Sequence, residues 1–230
     1  IRELSLTCGT ISATVDAGTF DVNRLTAKMS GAKKRTRIDL KGDILVNDVK
    51  AMDRVVARTI DTRFTTWIDT ETFDANADAV SFTCDTVDLS GPGGDSTISG
   101  ISLKLSGGNV KDDIDLRTLE MASSLFKGSG QGKVTNLMKD GMSASGKISF
   151  DGNVAPMVEV VRVMSPDFKG ATGTGTWECV LVAESAGHSI DIKPRLKVAK
   201  LDLKGIKAAD KDVEVKNADL SFESQIVVDS

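Results

Sequence analysis

The chain reads as a mostly β protein: an elongated antiparallel meander sheet, either a curved groove or a sandwich, with two or three short helices. Three observations predict this. Apolar and polar residues alternate with a period of two in segment after segment. Glycine is frequent, at 21, and proline rare, at 4. Only two stretches carry a clear helical spacing of apolar residues. Period two over so many segments means half-buried antiparallel strands with one apolar and one wet face.

The elements follow in chain order. Leu4, Leu6 and Cys8 alternate with Ser5 and Thr7, and Ile11, Ala13 and Val15 with Ser12 and Thr14. Ile38-Asp39-Leu40-Lys41-Gly42 is the first of a recurring form, a strand end followed by a turn glycine. Val87-Asp88-Leu89-Ser90-Gly91, Leu103-Lys104-Leu105-Ser106-Gly107 and Leu201-Asp202-Leu203-Lys204-Gly205 repeat it. Residues 47–60 fit either a helix (Val49, Met52, Val56, Ile60) or, through their β-branched content, a strand; the strand is preferred. Val80, Phe82 and Cys84 alternate again, as do Ile101, Leu103 and Leu105. Leu116, Leu119, Ala122 and Phe126 fall roughly on one face of a helix. Met157, Val160, Val161 and Met164 fit an amphipathic helix, with Pro156 in its first turn and Ser165-Pro166 as its stop. Val213 and Val215, then Leu220 and Phe222, close the strand series.

Phe126 to Gly132 (FKGSGQG) and Phe168 to Gly175 (FKGATGTG) look like two copies of one unit. The expectation is helix, glycine turn, strand in both, with Gly128 or Gly170 at positive φ.

Composition bounds the function. The chain has 230 residues and a formal net charge of −4 with both signs interspersed, which fits neither a nucleic-acid footprint nor a polybasic membrane patch. Aromatics are 4% and tyrosine is absent, so the interior is aliphatic. Cys8, Cys84 and Cys179 are far apart and form no CxxC pair, so three buried free thiols are expected rather than a zinc or redox motif. The chain opens at Ile1 without a methionine, and residues 1–230 are read as a single repetitive β-domain, a segment of a longer protein.

Candidate chemistry is thin. The glycine clusters follow helix-like stretches and precede strands, the reverse of a dinucleotide-binding order. His188 is the only histidine, and no GxSxG elbow accompanies it. Asp69, Glu71, Asp74 and Asp78, and Asp112, Asp113 and Asp115, lack the spacing of a calcium loop. Only Trp67 and Trp177 could serve as sugar platforms. The reading is therefore no enzyme, no cofactor and no metal. What remains is the apolar strand faces. A large uncovered apolar face is a binding surface, and an aliphatic one suits flexible acyl chains. The candidate lipid-binding residues are Ile101, Leu103, Leu105, Ile148, Phe150, Leu220 and Phe222, expected on one continuous concave surface. Ser102, Lys104, Ser149, Ser221 and Glu223 are expected on the other side.

The strand grammar Ile38-Asp39-Leu40-Lys41-Gly42-Asp43-Ile44, Asn47-Asp48-Val49 and Ile60-Asp61-Thr62-Arg63-Phe64 resembles the AsmA-like superfamily of bacterial envelope proteins, which includes the translocation and assembly module proteins. The helix before an FKGxGxG-like turn and Gly146-Lys147-Ile148-Ser149-Phe150-Asp151-Gly152-Asn153 add to the likeness. The resemblance covers Gly9 to Val228. It implies a periplasmic β-groove conducting phospholipid or another acyl-chain ligand, with any membrane anchor outside this chain. Envelope proteins, or self-association through edge strands, are the implied protein partners. The alternative from a different class is a structural β-rich subunit of a phage tail tube or cell-surface filament, with no lipid ligand.

Overall fold

The computed structural model describes residues 3–15, 18–110, 113–136, 142–186, 189–208 and 211–229. Strands β1 (Leu4–Val15), β2 (Gly18–Lys34), β3 (Arg37–Ala51), β4 (Val55–Asp69), β5 (Ala75–Gly91) and β6 (Gly94–Val110) come first. The shorter β7 (Asp113–Ala122), β8 (Lys127–Thr135) and β9 (Ser143–Asn153) follow, then helix α1 (Val154–Met164) and a 3-10 turn at Pro166–Phe168. The chain ends with β10 (Thr172–Ala186), β11 (Ser189–Ala208), β12 (Lys211–Glu223) and β13 (Ile226–Asp229). All thirteen strands lie in one open antiparallel sheet in which β1 to β12 are neighbours in chain order, and β13 pairs β11 beyond the end of β12.

The strands are long because their apolar pattern changes phase without ending. Between Cys8↔Leu25 and Thr10↔Asn23 the β1–β2 ladder skips one pair. The same skip recurs around Asn47, Thr59 and Asp85, out to Gly100 in β6. On alternate strands the skipped residue is left-handed: Arg24 (φ 47°), Thr59 (φ 52°) and Gly100 (φ 61°). Each skip turns the following residues over by one step. In β3 the less exposed positions change from Ile44 and Val46 to Val49 and Ala51; in β6 they change from Ser96 and Ile98 to Ile101 and Leu103. One crease therefore crosses six strands and keeps apolar residues on one face along their whole length. Bulges at Arg117–Thr118 in β7 and at Thr174/Thr176 in β10 do the same further along. In β11 and β12 the kinked residues are Lys200 (φ 51°) and Asn217 (φ 45°). Their freed N–H groups donate to Asp219 Oδ1 and Asp202 Oδ1, each at 2.9 Å.

Helix α1 leaves β9 and returns into β10, touching β10 and the ends of β5 and β6 on the way. It fills the space left because β7 and β8 stop short. Val154 and Val163 are its buried residues, and the Gly93 N–H donates to the Val163 carbonyl at 3.3 Å. A methyl on Gly91 would overlap that same carbonyl oxygen, so glycine at 91 is what lets the helix approach.

Several sequence expectations are corrected. The described residues form one α-helix and one 3-10 turn, not the two or three helices expected. The stretch at 116–125 is strand β7 and its turn; its bulge spaces Leu116 and Leu119 three apart and so imitates a helical period. Gly128, Gly130 and Gly132 lie inside β8, so the two FKG units are not equivalent. Positive φ among the described glycines occurs at Gly94, Gly100, Gly175 and Gly205, not at Gly128 or Gly170. Gly42, Gly107 and Gly205 sit within strands; of the repeated motif only Gly91 ends one. Residues 47–60 are the end of β3, a turn at 52–54 and the start of β4, so they are β but not one strand, whereas the boundaries of the helix around Pro156 and Ser165 agree with the structure.

Candidate functional site

The apolar face is built by register. Residues directly opposite in an antiparallel ladder share a face. One such row runs Leu6, Ala27, Ile44, Thr62, Phe82, Leu103 through β1–β6. It continues Met121, Gly128, Phe150, Cys179, Leu196, Phe222 through β7–β12. No member is charged. The row one residue away runs Thr7, Thr26, Leu45, Asp61, Thr83, Ser102 and then Ala122, Lys127, Asp151, Glu178, Lys197, Ser221. That is the wet face.

All seven candidate residues fall on the apolar face. Leu103 is linked through Met121 and Gly128 to Phe150, and onward to Phe222; Leu105 is linked through Leu119 and Gly130 to Ile148. Ile101 and Leu220 follow by period two within β6 and β12. Leu220 and Phe222 are 53% and 60% exposed, and the other five are half-buried. Ser102, Lys104, Ser149, Ser221 and Glu223 take the opposite face.

Little covers this face. Among the described residues only Val46, Cys84, Ala144, Val154, Val163, Ala171 and Leu201 are buried apolar residues. The chain exposes 14519 Å², whereas a compact monomer of this mass exposes about 10,000 Å². A closed sandwich would hide both inner faces; this sheet is open.

A cavity of about 330 Å³ lies on the apolar face over β7–β11, lined by Ile114, Leu116, Val134, Ile148, Leu181 and Ile192 among others. Its floor is made of small residues: Gly132 faces Gly146, and Gly146 faces Ala183. A Cβ on Gly146 would come within 3.1 Å of Gly132 Cα, so the two strands converge on this side. Beside it Phe126 meets Phe150 edge-to-face at 5.8 Å. Sequence reading missed this trough, although glycine at every second position of β8 was its visible signal.

The wet face carries the charges. Arg58 bonds Asp88 at 2.9 Å, and this guanidinium, helped by the Thr97 hydroxyl, holds the Asp88 carboxyl below its usual range. Arg63 pairs with Asp61 and Asp43, and Lys193 with Glu184. Such exposed pairs stabilise weakly. Trp67 lies on this face beneath the Arg37 guanidinium, 4.6 Å from its ring centre, whereas Trp177 lies on the apolar face. The two tryptophans therefore share no sugar platform.

The remaining candidates disperse. Asp69 holds a turn: its carboxylate accepts from the Thr36 hydroxyl at 2.7 Å and from the Glu71 and Thr72 N–H groups. Among the described residues no three His, Cys, Asp or Glu side chains are placed to hold a metal. The three thiols are free. Cys84 is buried, which pushes its thiol pKa up, while Cys8 and Cys179 are half-buried, short of the full burial expected. His188 and Asp112 lie outside the described residues. No described helix is long and apolar enough to cross a membrane.

These features define a single-layer, open β-sheet protein with one apolar and one charged face. The chain matches no protein-family model, and comparison with curated proteins and with solved structures finds no match either.

Proposed function

We propose that this chain is a non-enzymatic part of a β-groove that holds and conducts the acyl chains of phospholipids in a bacterial envelope. The observation that carries the reading is the uncharged row running from β1 to β12 across a mostly apolar face with so little packed against it. At about 4.8 Å per strand that face extends roughly 50 Å, far more than a monomer leaves uncovered without a partner. The chemistry suits acyl chains: mostly aliphatic side chains and small-residue floors. The resemblance to AsmA-like proteins points to the periplasm as its place.

Mass spectrometry of ligands extracted from natively purified protein tests the reading. Co-purified phospholipid or fatty acid is the expected result. Leu103→Asp on the open face costs about 1 kcal/mol, since its carboxylate stays wet, and it abolishes lipid recovery; in a closed core the buried carboxylate costs several kcal/mol. A lipid-free protein whose Leu103→Asp variant collapses in a thermal melt refutes the groove. One feature favours the structural-subunit alternative: the edge strand β1 carries no charge. A regular lipid-free polymer selects that alternative.

A further inference from the structure

The two edges of the sheet differ. The outer edge belonging to β12 is guarded: six of its thirteen residues are charged (Lys211, Asp212, Glu214, Lys216, Asp219, Glu223), and its ladder with β11 shifts register three times. Charges and kinks of this kind stop an edge from recruiting further strands. Strand β1 has none of these devices. Its twelve residues, LSLTCGTISATV, include no charge and no proline, and β2 is its only described neighbour. Leu4, Leu6 and Ile11 are 56%, 56% and 46% exposed. A long, uncharged edge with no second neighbour among the described residues is a template for strand addition.

The pattern of β1 also says which strand fits. Its apolar-face residues include Leu4, Leu6, Cys8, Ile11 and Ala13, placed there by their partners in β2. Leu6, Cys8, Ile11 and Ala13 are symmetric about the midpoint between Gly9 and Thr10. Laid antiparallel on itself, β1 sets Cys8 against Ile11, Leu6 against Ala13 and Leu4 against Val15. Ser5 then meets Thr14 and Thr7 meets Ser12 on the wet face. The crease at Gly9–Thr10 falls on its own copy, so both halves match at once; a shift by one pair puts apolar against polar residues. A two-fold contact requires this self-complementarity, and no charge is left without a partner.

We propose that β1 is a homodimer interface: two copies of this chain join their sheets through antiparallel β1–β1 pairing centred between Gly9 and Thr10, making one apolar face that spans both copies. The proposal does not rest on the lipid reading, and either can fail alone.

Sedimentation velocity tests it on the whole chain. The expected species is a dimer at twice 24.4 kDa, dissociating on dilution. The double variant Thr7→Lys/Ser12→Lys sets like charges opposite each other at two places across the axis, while the lysine at 12 faces Asp21 within its own sheet. It should weaken the dimer at least tenfold while leaving the melting temperature of the dilute monomer unchanged. Thr7→Asp/Ser12→Lys, with opposite charges in the same places, should restore it. Register is read in a Cys179→Ser background with a short thiol–thiol cross-linker: Ile11→Cys links to Cys8 of the second copy in high yield, and Ala13→Cys does not. A monomer at every concentration overturns the proposal. So does a dimer indifferent to the charge swap, or one cross-linked equally through both cysteines. A monomer that still carries lipid refutes the dimer and leaves the groove standing; a lipid-free dimer does the reverse.

Discussion

Thr59 carries the clearest local strain. A β-branched residue at φ 52° is held in a region that such side chains rarely adopt. It is kept because the crease needs a left-handed residue on alternate strands, and Gly100 fills the equivalent place on β6 without strain. Relief of the strain outweighs the added freedom of the unfolded chain. Thr59→Gly should therefore stabilise by about 0.5–1 kcal/mol, raising the melting temperature by roughly 1–4 °C. A fall in melting temperature would show that the Thr59 side chain contributes packing beyond what its backbone costs. Asp69 works through hydrogen bonds. The Thr36 hydroxyl first, then the Glu71 and Thr72 N–H groups, hold its carboxyl below the ordinary value of 3.8. A depressed carboxyl stabilises the fold above that ordinary value, and the contribution is lost as pH falls through the lower folded value. The melting-temperature gap between wild type and Asp69→Asn should thus be full near neutral pH and close only below 3.8. A gap already closing well above it contradicts this role.

Among the elements, most strands were legible because a half-buried strand writes its period of two directly into the sequence. Val80, Phe82, Cys84 and Ile101, Leu103, Leu105 needed no tertiary information. Their length was not legible. At Asn47–Asp48 and Arg58–Thr59 two polar residues interrupt the alternation, and in sequence this looks like a turn; only cross-strand pairing reveals a crease inside a continuous strand. The same phase change made β7 read as a helix through Leu116 and Leu119. The seven candidate face residues were found by period alone, whereas the glycine-floored trough depends on which strands are neighbours. The existence of helix α1 was legible from Met157, Val160, Val161 and Met164, but its packing face was not: Met157, Val161 and Met164 are exposed, Val154 and Val163 are the buried residues, and the reach to the β5–β6 turn was not legible either. That reach gives a test. Gly91→Ala pushes a methyl onto the Val163 carbonyl and should cost about 1–3 kcal/mol as overpacking. Protease cleavage within 154–171 should increase in the variant. An unchanged melt and cleavage rate would mean that α1 is held by β10 alone.

At the scale of the whole molecule, β1 to β12 each contact their sequence neighbours, β13 returns to β11, and among the described residues α1 links distant strands, β5 and β6 with β10. A sheet of this kind is quasi one-dimensional: its stability is a sum of local terms and nearest-neighbour interfaces, as in a repeat protein. The terms are unequal. Val46 and Cys84 are buried in the middle of the long strands, whereas every described side chain of β1 except Cys8 is exposed, as are most of β12. Opening should therefore begin at the edges and stop at the centre. Amide hydrogen exchange should rank β3–β6 as the slowest, β9–β10 beside α1 next, and β12 and β13 as the fastest. β1 serves as an internal gauge: in isolated copies its amides exchange as fast as those of β12, and at concentrations where β1 pairs with a second copy they slow while β12 stays fast. Denaturant unfolding followed by Trp67 in β4 and by Trp177 in β10 should give two midpoints rather than one, because the two reporters lie in separately opening parts. Coincident midpoints with uniform exchange protection would show a single cooperative unit and refute this picture.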